Sequence, residues 1–288
     1  MPAVKPPPPP SSTPKTSTPA PKSTTASTSS KSSTTKLSHL APVARPPRVV
    51  VNAVEGWGKT SLVAHAPDAA ILMASGETGY ETLLGAGLVP SVPAARIAKW
   101  SELLGTLDSL IEDHSGVKVL ALDAMGGFER LCHEHVCIKE FGGEWGDRGF
   151  NSYQKGYEQS VTHWLSMLSR LDRLWDAGIT IVILSHCRIK TFKNPLGSDY
   201  DRYVSDTHDK TWAATAKWAD AILFGNFLWV VDKKGKGVGG TDRVVYTERR
   251  DSFDAKNRYG MNEIIEIPND PSETWSTLQN AINHKEGA

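Results

Sequence analysis

Residues 48–63 read RVVVNAVEGWGKTSLV, and this stretch decides how the rest of the chain is interpreted. An apolar run at residues 49–51 leads into a glycine-containing turn, and apolar residues 62 and 63 follow it. That order predicts a buried strand, a tight turn and the start of a helix. The turn ends in Gly58-Lys59-Thr60, which is the second half of the phosphate-loop pattern G-x-x-x-x-G-K-[ST].

A phosphate loop binds its ligand through backbone N–H groups and through the partial positive charge of the helix start. We expect Lys59 to reach the β- and γ-phosphates of a nucleotide and the Thr60 hydroxyl to bind Mg²⁺. Ala53 stands where the first glycine of the pattern belongs, so we expect Gly56 to supply the positive φ that the turn needs. A chance Gly-Lys-Thr in a loop is the alternative. The predicted nucleotide-binding residues are Val54, Glu55, Gly56, Trp57, Gly58, Lys59, Thr60 and Ser61.

Three other apolar runs are followed by polar side chains that suit nucleotide hydrolysis. Glu77 follows the run at 69–74, Asp123 follows 117–122, and His186 follows 179–184. The carboxyl ends of parallel strands meet at one edge of a sheet, so we expect these side chains beside the phosphate loop. Glu77 is placed to polarise an attacking water, Asp123 to hold the Mg²⁺ shell, and His186 to sense the γ-phosphate. A solvated loop acid is the alternative interpretation of Glu77.

The remaining patterns complete an α/β fold with a mostly parallel sheet and helices on both faces. A strand is predicted at 95–98, a helix with Ser101 as its N-cap, and a long amphipathic helix ending at Gly178. A helix is expected near 207–219, and residues 221–231 and 243–249 read as an antiparallel hairpin at the sheet edge. Asp270 and Pro271 open a final helix.

Two irregular segments, 124–157 and 188–210, combine aromatic rings with cations. Single-stranded nucleic acid is bound by such sets, because bases stack on rings while phosphates pair with cations. Ordinary surface loops are the alternative. A zinc site within residues 132–137 is disfavoured, because on a helix its two cysteines and two histidines do not converge. The predicted DNA-binding residues are Arg148, Tyr153, Lys155, Arg188, Lys190, Lys193, Arg202 and Lys210.

The zero net charge of the 288-residue chain conceals two unlike parts. Residues 1–46 are rich in Pro, Ser and Thr and carry six cations and no acid, hence +6 against −6 for the remainder. We predict a disordered basic tail at 1–46, either solvated or holding nucleic acid or a recombination partner, and one domain at 47–288. Three cysteines without a paired framework suit a reducing compartment. We find no signal-type or bilayer-spanning apolar run, and expect a cytoplasmic protein without membrane contact.

Five motifs taken together resemble the RecA-like ATPase core. They are VEGWGKT (54–60), ASGETGYETL (74–83), VLALD (119–123), ILSHCR (183–188) and AKNRYG (255–260). Over residues 47–268 the chain is most similar to the phage-encoded Sak-type ATPases of single-strand annealing and recombination, within a broader phage AAA-labelled family. AKNRYG is similar to the lysine–arginine motif of RadA-type and DnaB-type proteins. That resemblance implies that Lys256 and Arg258 reach the nucleotide of a neighbouring subunit in a ring or filament.

The leading hypothesis is therefore a phage-type protein that binds single-stranded DNA and hydrolyses Mg²⁺-ATP at the interfaces of a homo-oligomer. The resemblance also implies that DNA is bound by the loops after the Asp123 strand and after the His186 strand. One alternative is an annealing protein that uses nucleotide only to assemble. Another is a hexameric helicase motor of the DnaB type.

Overall fold

The computed structural model of the chain describes residues 39, 41, 43–231 and 237–284, so most of the predicted tail lies outside the described residues. Ten strands are found there. They are β1 (Arg48–Ala53), β2 (Ala69–Ala74), β3 (Ala94–Ile97), β4 (Val119–Asp123), β5 (Thr180–Phe192), β6 (Tyr200–Ser205), β7 (Ala221–Val231), β8 (Gly237–Tyr246), β9 (Lys256–Asn257) and β10 (Ile264–Ile267).

Seven α-helices connect and cover these strands within the described residues. They are α1 (Lys59–Ala64), α2 (Gly79–Gly85), α3 (Trp100–Glu112), α4 (Met125–Phe141), α5 (Lys155–Asp176), α6 (Asp209–Trp218) and α7 (Pro271–Ile282). None of them is both long enough and apolar enough to cross a bilayer.

The strands form a mixed sheet, mostly parallel, in the order β10-β8-β7-β1-β5-β4-β2-β3. β1 lies at its centre, parallel to β5 on one side and to β7 on the other. This register sets Ala53, the last residue of β1, between His186 and Gly225. The α/β fold with a mostly parallel sheet predicted from the sequence is therefore confirmed.

Alternating side chains of the central strands build two apolar layers, one on each face of the sheet. Val49 and Val51 face α1 and α7, where Trp275 and Leu278 are buried. Val50 faces the layer of α3, α4 and α5, in which Trp100 stacks on Trp164 with ring centroids 5.8 Å apart. Helices therefore cover both faces, as the alternation of strands and helices predicts.

Two segments predicted as irregular contain regular structure. Half of 124–157 is α4, a 17-residue helix that buries Phe128, Leu131 and Val136, whereas residues 142–151 form turns and loops, as predicted. The second segment, 188–210, begins as a two-stranded ribbon, because β5 continues to Phe192 and pairs with β6 in antiparallel register. The prediction of a polar loop was wrong for this ribbon.

Two smaller predictions also need correction. The hairpin β7–β8 forms, but it is not the sheet edge, because β10 pairs with β8 outside it. Helix α3 begins at Trp100 with Lys99 as its N-cap, so Ser101 lies inside the first turn. The predicted cap of the final helix is confirmed: Asp270 accepts a hydrogen bond of 2.9 Å from the Ser272 N–H.

Candidate active site

The phosphate loop joins β1 to α1 with two residues in the left-handed region. Gly56 has φ +73° and Gly58 has φ +101°, a conformation that a Cβ disfavours. Gly56 thus supplies the positive φ, as expected from the sequence. Ala53 ends β1 as a buried strand residue, and its methyl group packs against Gly225, where a Cβ would lie only 2.7 Å away. The loop therefore forms without a glycine at position 53.

Trp57 anchors the loop to the sheet. Its side chain is buried, and its Nε1 donates to the Val244 carbonyl at 3.1 Å. The ring packs on Gly225, where a Cβ would be 2.7 Å from Cε2. Trp57 is one of the predicted nucleotide-binding residues, but its indole is part of the core. Within this residue a nucleotide can therefore contact only the backbone.

Arg243 of β8 is a contact of the phosphate loop that sequence reasoning missed. Its Nη1 donates to the Trp57 carbonyl at 3.1 Å and would lie 2.7 Å from a Cβ at Gly58. Its Nη2 donates to the Pro268 carbonyl. Burial lowers the pKa of this guanidinium. The sequence carries no signal for this contact, because the hairpin that brings Arg243 to the loop is 186 residues away.

Lys59 is buried at the start of α1 and its amine points back into the loop. Nζ donates to the Ala53 carbonyl at 2.9 Å and to the Val54 carbonyl at 3.3 Å. Burial lowers the pKa of this amine, since removing a charge from water disfavours it. Phosphate oxygens are the natural counter-charge for such a group.

Thr60 and Asp123 meet as the sequence predicts. The Thr60 hydroxyl donates to Asp123 Oδ2 at 2.8 Å, and burial raises the pKa of that carboxyl. Oxygen donors of this kind suit Mg²⁺, which usually takes its other ligands from water and substrate phosphates. Among the described residues no group of three or more His, Cys, Asp or Glu could hold a metal alone. The pair therefore fits a Mg²⁺ ion that a nucleotide helps to coordinate.

Glu77 and His186 lie next to each other. Together with Lys59, Thr60 and Asp123 they line the candidate active site, which we call the cleft, and they form the wall opposite the phosphate loop. Glu77 Oε1 lies 3.9 Å from His186 Nε2, which is an ion-pair distance rather than a hydrogen bond. The histidine lowers the pKa of Glu77, and Glu77 in turn raises the pKa of His186. A carboxylate that stays ionised next to the phosphate loop is equipped to accept a proton from water.

Asp206 is a second cleft residue that sequence reasoning missed. Its N–H donates to the His186 carbonyl at 3.0 Å, directly after β6. The residue is accessible to solvent, yet the surrounding protein still raises the pKa of its carboxyl. The sequence YDRYVS at residues 200–205 has little alternation, so the strand that positions Asp206 was interpreted as a loop.

Lys256 and Arg258 lie far from the loop within this chain. β9 pairs with the first residues of β7, at the end of the sheet opposite to the phosphate loop. Lys256 Nζ donates to the Ala216 and Ala219 carbonyls at the end of α6. Arg258 Nη1 donates to Asp220 Oδ1 at 3.0 Å. Their action on a neighbouring subunit stays a prediction.

The predicted DNA-binding residues divide into two groups. Arg148, Tyr153, Lys155 and Arg188 are exposed. The other four form ion pairs within the chain. The pairs are Lys190–Asp209, Lys193–Asp199, Lys210–Glu158 and Arg202–Asp254. Arg202 is a correction: it is buried, and its guanidinium also lies 5.5 Å from the Phe192 ring centroid. This side chain cannot contact DNA in this conformation.

We expect Arg202 to act on stability. Arg202→Ala should lower the free energy of unfolding by about 1–3 kcal/mol, because a hydrogen bond of 2.6 Å to Asp254 is lost. Lys193→Ala removes an exposed pair of the same ribbon and should cost less than about 0.5 kcal/mol. Urea unfolding of both variants measures the difference. Equal stabilities together with weaker DNA binding by Arg202→Ala would restore the DNA-contact interpretation.

Comparison with known proteins agrees with this geometry. The family model described as AAA domain matches residues 45–259, about three quarters of the chain, including the loop and the three residues predicted around it, Glu77, Asp123 and His186. No curated protein matches the chain. The chain therefore belongs to the AAA domain family of P-loop ATPases.

Proposed function

We propose that this protein hydrolyses Mg²⁺-ATP and couples that cycle to single-stranded DNA, as in phage recombination and annealing. The main support for the nucleotide-binding part of the proposal is the 2.8 Å hydrogen bond from Thr60 to Asp123, near the buried Lys59 amine. Thr60 lies in the first turn of α1 and Asp123 ends β4, 63 residues later in sequence. Membership of the AAA domain family supports ATP hydrolysis independently.

Each residue of the cleft has a role in that reaction. When bound, Mg²⁺ neutralises charge on the phosphate oxygens. Thr60 and Asp123 would supply its protein ligands. The Lys59 amine would donate its hydrogen bonds to phosphate oxygens instead of to the loop carbonyls. Glu77 orients the attacking water and accepts its proton. His186, held beside Glu77, provides a donor to the terminal phosphate.

The DNA half of the proposal is supported by aromatic and cationic side chains of the two predicted DNA-binding segments. The segment 142–157 and the start of α6 meet where Tyr157 stacks on His208, with ring centroids 4.3 Å apart and planes 8° apart. Tyr153 projects from this surface and is 93% exposed. Arg188 leaves the cleft two residues after His186. Exposed rings and cations are what single-stranded nucleic acid requires.

Assembly into a ring or filament is part of the same proposal and is supported by the AKNRYG resemblance. Arg258 is about half exposed while it pairs with Asp220, so it is accessible to a second copy. Sedimentation with and without ATP tests this. If the protein stays monomeric in both conditions, Lys256 and Arg258 cannot complete the nucleotide site of a neighbouring subunit.

The decisive experiment is the ATPase rate with and without single-stranded DNA. We expect DNA to stimulate turnover, and Tyr153→Ala to weaken DNA binding by about 1–3 kcal/mol through loss of one stacked base. Leu88→Ala is the matched control, since it truncates another exposed apolar side chain, before β3. DNA binding without turnover would favour the annealing protein instead. Turnover without DNA binding would remove the DNA half of the proposal.

The pH dependence of turnover follows from His186. Glu77 raises its pKa above the ordinary value of 6.5, with Asp206 also favouring the charged form and Lys59 opposing it. The protonated form is present below the raised pKa and is lost as pH rises through it. We expect kcat to fall at alkaline pH with a midpoint above 6.5. In His186→Gln, kcat should not show this decrease with rising pH. Identical pH profiles for both proteins would remove His186 from the reaction.

A further inference from the structure

The ribbon β5–β6 brings an acid directly opposite His186. Cys187 pairs with Ser205, and one step nearer the cleft the Asp206 N–H donates to the His186 carbonyl at 3.0 Å. Residues that oppose each other across antiparallel strands place their side chains on the same side. Asp206 therefore accompanies His186 into the cleft, with Glu77 on the other side of the imidazole at 3.9 Å.

The start of α4 fixes where the Asp206 carboxylate lies. A Cβ on Gly126 would be 2.5 Å from Asp206 Oδ2 and 3.0 Å from its Cγ. A Cβ on the next residue, Gly127, would be 2.6 Å from the Ala74 Cβ and 3.9 Å from Glu77 Oε1. The first turn of α4 thus passes between Asp206 and Glu77 without a side chain. Its partial positive charge favours a carboxylate there.

Structural roles do not account for Asp206. Within the described residues no lysine, arginine or histidine is paired with its carboxylate, and the side chain is exposed to the cleft. An unpaired exposed carboxylate adds little to the free energy of unfolding. Burial raises the pKa of this carboxyl, the charges of His186 and Lys59 lower it and that of Glu77 raises it, so the Asp206 charge is coupled to these three groups.

We propose that Asp206 is a positioning residue of the ATPase site: without a direct ion pair, its carboxylate charge orients the His186 ring, whose Nε2 lies 3.9 Å from the Glu77 carboxylate. This inference rests on the proposed function. It adds a third member to the wall opposite the phosphate loop. Because Asp206 directly follows β6, this role would also connect the active site to the β5–β6 ribbon, which contains Arg188.

The first test separates turnover from binding. Asp206→Asn should lower kcat by about 10- to 100-fold, as expected when a catalytic group is misplaced, and should leave KM for ATP within about twofold. Asp201→Asn is the matched control, because this acid lies on β6 but is exposed and bonded to Thr191. An unchanged kcat, or a loss confined to KM, would overturn the proposal.

The second test uses the close approach of α4. Gly126→Ala should displace the Asp206 carboxylate and lower kcat by a similar factor, while alanine favours the helix. In an Asp206→Ala background the clash is gone, so Gly126→Ala should have no further effect on kcat. Additive losses in the double variant would contradict a shared cause.

The third test needs no nucleotide. The ring ¹⁵N signals of His186, assigned by comparison with His186→Gln, should shift in Asp206→Asn and in Gly126→Ala but not in Asp201→Asn. Unchanged ring signals would overturn the proposal even if kcat falls. If the wild-type protein hydrolyses no ATP, the proposed function fails, and these spectra alone decide whether Asp206 orients the ring.

Discussion

Lys59→Ala should abolish ATP hydrolysis, with kcat reduced more than about 100-fold, as for the loss of one preorganised donor to developing charge. The amine is buried in the loop, and within the described part of the chain its hydrogen-bond partners are two backbone carbonyls. Without it, a nucleotide would place its phosphates in a site that lacks the main positive charge. We therefore also expect the melting temperature to lose most of its increase on adding Mg²⁺-ATP.

The control for Lys59→Ala is Lys118→Ala. Lys118 is exposed, pairs with Asp68 at 2.8 Å, and precedes β4 at the end of the sheet away from the loop. Its removal should change neither hydrolysis nor the thermal shift with ATP. Wild-type turnover by a folded Lys59→Ala protein would refute the assignment of this loop as the phosphate site.

Three residues of the cleft could be predicted from the sequence because each comes at the end of an apolar run or shortly after it. Glu77, Asp123 and His186 come within three residues of the ends of recognisable runs, and parallel strands bring such ends together. Local pattern and chemistry agree there, which is why the predicted Thr60–Asp123 contact is found.

The missed elements are those in which polar residues conceal a regular structure. Residues 200–205 read YDRYVS, and their strand forms only by pairing with the second half of β5. Helix α4 has glycines at its second and third positions, and His133, Glu134 and His135 lie between its buried residues. Periodicity is weak in such segments, so tertiary pairing decides their conformation.

Long-range partners are a second limit of sequence reasoning. Arg202 was taken as a DNA contact because it is a cation in a polar segment, whereas its partner Asp254 lies 52 residues later. Trp57 was taken as a ligand contact because it lies in the loop, but Val244 and Gly225 form a site for its ring. Composition identifies the type of side chain, and only the fold identifies its neighbour.

Glu77→Gln should separate ATP binding from hydrolysis. Glutamine keeps the size of the side chain but cannot accept a proton, so we expect kcat to fall by about 10²- to 10⁴-fold. The phosphate loop, the Lys59 amine and the Thr60–Asp123 pair are untouched, so the dissociation constant for ATP should stay within about threefold. A fluorescent ATP analogue measures binding, and phosphate release measures turnover.

Glu81→Gln provides the matched control, because Glu81 is an exposed acid of α2 that pairs with Arg96. That variant should hydrolyse ATP at the wild-type rate. Full activity of Glu77→Gln combined with loss of activity in Asp206→Asn would indicate that Asp206, after β6, accepts the proton instead of Glu77, after β2. Because the two carboxylates flank the same histidine and the same first turn of α4, comparison of these variants tells which of them faces the attacking water.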